Sequence, residues 1–124
     1  MRSLKERRSK QTPLRDVAGM LRSFSYAARS VAGRAIQLHP ENAAPLSAWA
    51  AAWEHGAGST FLRGYREVML TRPNLVPQPA LEQTMLRALL LEKAMYELVY
   101  ELNNRLAWLP IPLSGLLAIL DGSV

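Results

Sequence analysis

The sequence predicts an all-α protein of about four helices with no sheet. Three observations lead there. Leu and Ala dominate the aliphatic residues, while Val and Ile together hold only nine of 124 positions, and a sheet protein of this size draws more heavily on β-branched side chains. Apolar residues recur at steps of three and four along most of the chain, the period of a helix with one covered face. Proline sits at the edges of these runs, where a missing N–H costs least.

Residues 1–12, MRSLKERRSKQT, carry five Lys or Arg against one Glu and read as a solvated basic arm. Residues 13–124 then form a single helical domain. Thr12-Pro13 opens the first helix, since Thr can cap and Pro fits the first helical position. Asp16 falls in the first turn, where a negative charge suits the helix dipole. Leu14, Val17, Leu21, Phe24 and Ala28 follow at helical spacing, with Met20 and Val31 beside them. The helix is expected to reach about Gln37 and to end at His39-Pro40, because a residue before Pro disfavours the helical region.

The second helix is expected from near Pro45 to about Thr71. Leu46, Trp49, Trp53, Ala57, Phe61, Gly64 and Val68 make one face. Gly56, Gly58 and Gly64 each cost roughly 1 kcal/mol relative to Ala in a helix. They imply either close approach of a neighbour or a break near Gly56–Ser59. Arg72-Pro73 and Pro77-Gln78-Pro79 make a rigid extended connection. The third helix spans about Ala80 to Asn103, with an apolar arc of Met85, Ala88, Leu91, Met95, Leu98, Val99 and Leu102 centred on Met95 and Leu102. Asn103-Asn104 can end it, since Asn tolerates the left-handed cap conformation. Leu109-Pro110-Ile111-Pro112 reads as an extended turn before a short last helix, Leu113 to Leu120.

Composition excludes several chemistries. With no Cys, there can be no disulfide framework, zinc-thiolate site or cysteine nucleophile. Two His and two Asp leave no His-rich metal site. The longest apolar stretches, Ala43–Trp53 and Leu109–Leu120, are shorter than the ~18–20 residues that span a bilayer, and no apolar run follows the basic N-terminus as in a secretory signal. A cytoplasmic protein without membrane association is the expectation. The net charge of +5 permits nucleic-acid binding. That is the weakest reading, because the basic residues sit on an arm with no recognition helix or stacking platform beside them. The glycines at 56, 58 and 64 do not fit a phosphate-cradling loop, and there is no Gly-x-Ser-x-Gly elbow.

One strip does carry chemistry. Lys93, Tyr96, Glu97, Tyr100 and Asn104 stand at i, i+3, i+4, i+7 and i+11 and line one side of the third helix over three turns. Two phenols, an ammonium, a carboxylate and an amide suit a polyhydroxylated ligand. Aromatic faces pack on sugar C–H surfaces, and charged groups bond hydroxyls strongly. The alternative is an ordinary helix face with Lys93–Glu97 as a surface ion pair worth about 0.3–0.5 kcal/mol.

Three stretches together, ERRSKQTPLRDVAGMLRSF (6–24), LEKAMYELVYELNNR (91–105) and WLPIPL (108–113), resemble the C-terminal part of maltokinases, which occur alone or fused to trehalose synthase. Those enzymes are similar to aminoglycoside phosphotransferases and share the two-lobed protein-kinase architecture. The resemblance implies the helical C-terminal lobe of a kinase-like fold, a fragment of a larger domain. The family transfers the ATP γ-phosphate to maltose, giving maltose 1-phosphate for α-glucan synthesis. Its catalytic and magnesium-binding Asp residues lie upstream of the first stretch. The resemblance therefore implies no catalytic, cofactor-binding or metal residues here, with ATP and magnesium belonging to a full-length relative, and a chain inactive by itself. It makes Lys93, Tyr96, Glu97 and Tyr100 the candidate sugar contacts, with weak affinity for maltose or a related glucoside. Glu92, Asn103, Asn104 and Arg105 match too, and helix anchoring also accounts for them. Arg15-Asp16 would tie the helix start to the catalytic segment. An uncovered apolar surface is expected to find a partner, either the kinase lobe or a second copy in a homodimer. A helical interaction module without catalysis is the alternative.

Overall fold

A computed structural model describes residues 13–72 and 79–122. They form four helices: α1 (Pro13–Leu38), α2 (Ala43–Met69), α3 (Pro79–Asn104) and α4 (Pro110–Leu120). Single 3-10 turns, Pro40–Asn42 and Leu106–Trp108, join α1 to α2 and α3 to α4. No strand occurs among the described residues, so the fold is all-α as the composition requires. The basic arm and residues 73–78 of the Pro-rich connection lie outside the described residues. None of the described helices is long and apolar enough to cross a membrane.

α1 is the hub, packed on each of the other three helices. Leu14, Val17 and Ala18 of α1 meet Leu86, Leu90 and Ala94 of α3 and Ile119 of α4. Phe61, Leu62 and Tyr65 of α2 pack on this core from the side. Further along, Ala28 and Ala32 of α1 face Ala50 of α2, an all-alanine contact that lets the two helices approach closely.

The structure resolves the choice at the glycines of α2 in favour of one close approach. The helix runs unbroken through Gly56–Ser59. A Cβ on Gly58 would lie 3.3 Å from Leu21 Cδ2, whereas one on Gly56 or Gly64 would meet nothing within 4 Å. The expected apolar face of α2 is only partly covered. Trp53 and Phe61 meet the Phe24 ring edge-on at 6.0 and 5.9 Å, but Ala50 is the only buried residue of the helix.

Two expectations need correction. Leu109–Pro112 is not an extended turn, because α4 already begins at Pro110. Both prolines fall in its first turn, where N–H groups have no intrahelical acceptor to lose. In α3 the arc centred on Met95 and Leu102 is not the core face. Met95, Val99 and Leu102 are each more than half exposed. The buried stripe is Glu82, Leu86, Leu90, Ala94 and Glu101. α3 is apolar around most of its circumference, so periodicity left its orientation open. An ion pair between helices marks it, Glu97 on Arg22 of α1, while Glu101 pairs locally with Arg105 four residues on.

Candidate functional site

The buried side of α3 carries two ion pairs. Arg22 projects from α1, only 5% exposed. Its Nε donates to Glu97 Oε1 at 2.6 Å and Oε2 at 3.2 Å. The guanidinium lies against the backbone of α4 at Gly115, where a Cβ would sit 2.8 Å from Arg22 Cζ. One turn along α3, the Glu101 carboxylate is fully buried, and its Oε1 accepts from Arg105 Nε at 3.0 Å. Arg105 in turn lies 4.1 Å over the Trp108 ring and 5.6 Å from the Tyr100 ring, contacts that favour a cation. Tyr26 of α1 stacks on Trp108 at 6.2 Å. Arg22 Nη2 and Glu101 Oε2 are buried with no protein hydrogen-bond partner.

This environment moves two titrations. Burial pushes the Glu97 carboxyl above its ordinary value, with Glu101 adding to the rise, while the Arg22 hydrogen bond and charge and the Lys93 charge oppose it. The Tyr26 phenol is raised to about 12, by burial first and then by Glu97 and Glu101. These groups act as a brace. The Arg22–Glu97 pair ties α3 to α1 and with it sets the direction in which the neighbouring residues on that side of α3 point.

Those residues are the strip expected from the sequence, and the structure divides it. Lys93 and Tyr96 are exposed and line a hollow of about 220 Å³ with Arg15, Ala18, Leu89 and Glu92. Arg15 Nη1 pairs with Glu92 Oε1 at 3.4 Å on its rim. Tyr96 is 71% exposed. Tyr100, 47% exposed, stands one turn further on beside Arg105, outside the hollow. Glu97 faces Arg22, so the surface Lys93–Glu97 pair is replaced by a buried one. Asn103 and Asn104 turn back on their own helix, with their Nδ2 atoms donating to the Val99 and Tyr100 carbonyls at 3.0 and 2.9 Å. Among the described residues, no three carboxylates or histidines come together as a metal site requires.

Sequence reasoning missed Arg22. The signal was present: Arg22 continues the stripe of Leu14, Val17 and Ala18 toward Ser25 and Ala28, all of them buried, and a charge inside an apolar stripe requires a buried partner. No protein-family model matches the chain, and no solved structure matches it significantly.

Proposed function

We propose that this chain is the acceptor-sugar lobe of a maltokinase-like phosphotransferase, holding maltose or a related glucoside against Lys93, Tyr96 and Tyr100. The observation that carries this reading is the pair of exposed tyrosines beside Lys93 on a helix tied to α1 by the adjacent Arg22–Glu97 pair. Exposed phenols with little rotameric freedom suit the C–H faces of a sugar. The three stretches that resemble maltokinases also support it, because their described residues are not scattered in space. Arg15 meets Glu92, Arg22 meets Glu97, and Arg105 covers Trp108. Glu97 becomes a positioning residue, with its carboxylate engaged by Arg22. The reading gives this chain the acceptor side of the reaction only. ATP and magnesium belong to the other lobe of such an enzyme, which works in the cytoplasm where ATP is available. Saturation-transfer NMR tests the reading. Irradiating the protein should transfer magnetisation to maltose protons, and Tyr96→Ala with Tyr100→Ala should abolish it. Transfer that persists in the double variant would contradict it.

A second reading, a helical interaction module, is favoured by the outer face of α3. Leu81, Thr84, Ala88, Leu91, Met95, Leu98 and Leu102 alternate at steps of three and four, the repeat of a coiled-coil seam, with Leu91 and Leu98 half-buried at its inner edge. Leu81, Met95 and Leu102 on it are each more than half exposed. A second copy presents the same repeat, so a homodimer through α3 is the occupant this seam fits. Sedimentation at physiological salt should show a concentration-dependent dimer that Met95→Glu disrupts. A monomer at high micromolar concentration would contradict it.

A further inference from the structure

α1 has 26 residues and α4 has 11, so at 1.5 Å per residue α4 covers less than half of the length of α1. Beyond the start of α4, the second half of α1 faces an open groove of about 740 Å³, within the range of small-molecule sites. The opposite walls are the second turn of α2, at Ser47, and the segment from Ala107 to Ser114. The groove stays open because small residues line it, Ala32, Gly33, Ser47 and Ala107 among them.

Its lining has one sign of charge. Arg29 and Arg34 border it, and none of its lining residues is acidic. Arg29 reaches Glu54 through a single contact of 3.4 Å. Arg34 has no partner among the described residues. Ser30, Ser47, Ser114 and Gln37 add neutral hydrogen-bonding groups, and Ile36, Ile111 and Trp108 add apolar wall. Guanidinium groups bind phosphate and carboxylate with forked geometry. An apolar wall beside them suits a ligand with a ring or chain attached to its charge.

We propose that this groove binds a small organic anion, its phosphate or carboxylate at Arg34 and its apolar body between Ile36 and Ile111. The site shares no residue with the strip on α3, so the two stand or fall separately.

Amide NMR titration of the whole chain with phenyl phosphate, benzoate and phenol tests the proposal. Phenyl phosphate or benzoate should shift the amides of residues 30–37, 47 and 114 saturably at concentrations that fill a millimolar site, and phenol should not. Stronger binding of phenyl phosphate identifies a phosphate ligand, and stronger binding of benzoate a carboxylate ligand. Arg34→Gln should weaken binding about tenfold, the scale of one charge-assisted hydrogen bond. Ser114→Leu, which fills the groove and leaves the charges in place, should weaken it as well. Absence of saturable shifts, or binding unchanged by Ser114→Leu, would overturn the proposal. The second result would reduce it to a diffuse surface attraction.

Discussion

Gly115→Ala is the smallest change that strikes the brace behind α3. The new methyl would sit 2.8 Å from Arg22 Cζ and 2.9 Å from Nη2, and closer still to Nη1. No Cβ tolerates such contacts, so the guanidinium must move. An exposed arginine would swing away at little cost. Arg22 is 5% exposed and holds Glu97 with two hydrogen bonds, so displacement pulls the pair apart. Overpacking a core costs about 1–3 kcal/mol, and separating a buried ion pair costs up to about 3–5 kcal/mol when one charge is left uncompensated. Ala gains roughly 1 kcal/mol over Gly in a helix interior. The net expectation is a loss of about 2–4 kcal/mol. Urea unfolding followed by circular dichroism measures it. Repeating the substitution in an Arg22→Met/Glu97→Leu background separates the terms, because there the cost should fall below about 1 kcal/mol. A neutral or stabilising Gly115→Ala in the unaltered background would refute the packing of Arg22 on α4.

Three further expectations follow from the same geometry. Arg105→Ala leaves the fully buried Glu101 carboxylate without its donor and should lower stability by about 3 kcal/mol, read from the same urea transitions. Gly64→Ala, where a Cβ meets nothing within 4 Å inside α2, should raise the unfolding midpoint by the equivalent of about 0.5–1 kcal/mol. The Tyr26 phenol, raised from 10.0 to about 12, stays neutral in the folded chain while the unfolded chain ionises. Its contribution is therefore complete below pH 10 and is lost as pH rises from 10 through 12. Phenolate absorbance should show a late-ionising component that shrinks in Tyr26→Phe, with Tyr65, whose phenol burial also raises, keeping its share.

How much was legible in the sequence differs from helix to helix. α1 was readable end to end because Pro13 and His39-Pro40 bracket it and its apolar residues keep a single stripe. α4 was read late, since two prolines suggest an extended segment unless both fall in one first turn. α3 was found but rotated, because periodicity places a helix only when its two sides differ in polarity. Leu86, Leu90 and Ala94 on one side and Met95, Val99 and Leu102 on the other gave no such contrast. A polar contact that joins the covered side of α3 to another helix is the pairing of Glu97 with Arg22, whereas Glu101 pairs with Arg105 within its own stretch of chain. Of these pairs, Arg22–Glu97 joins residues 75 apart in sequence, beyond the reach of any local pattern. The candidate strip was legible as a set of residue types at helical spacing. Its division was not, since Glu97 turns inward only because Arg22 waits across the helix interface. The Arg34 groove was invisible, because it arises from the unequal lengths of α1 and α4.

The account rests on α3 offering Lys93, Tyr96 and Tyr100 to a sugar, and an amide NMR titration with maltose tests that most directly. Without an opposing lobe to close over the sugar and exclude water, affinity should be millimolar, about −4 kcal/mol. The expected result is gradual, saturable shifts for the amides of Lys93 through Tyr100, lost in Tyr100→Ala while the rest of the spectrum stays in place. Saturating maltose that moves none of those amides would contradict the account.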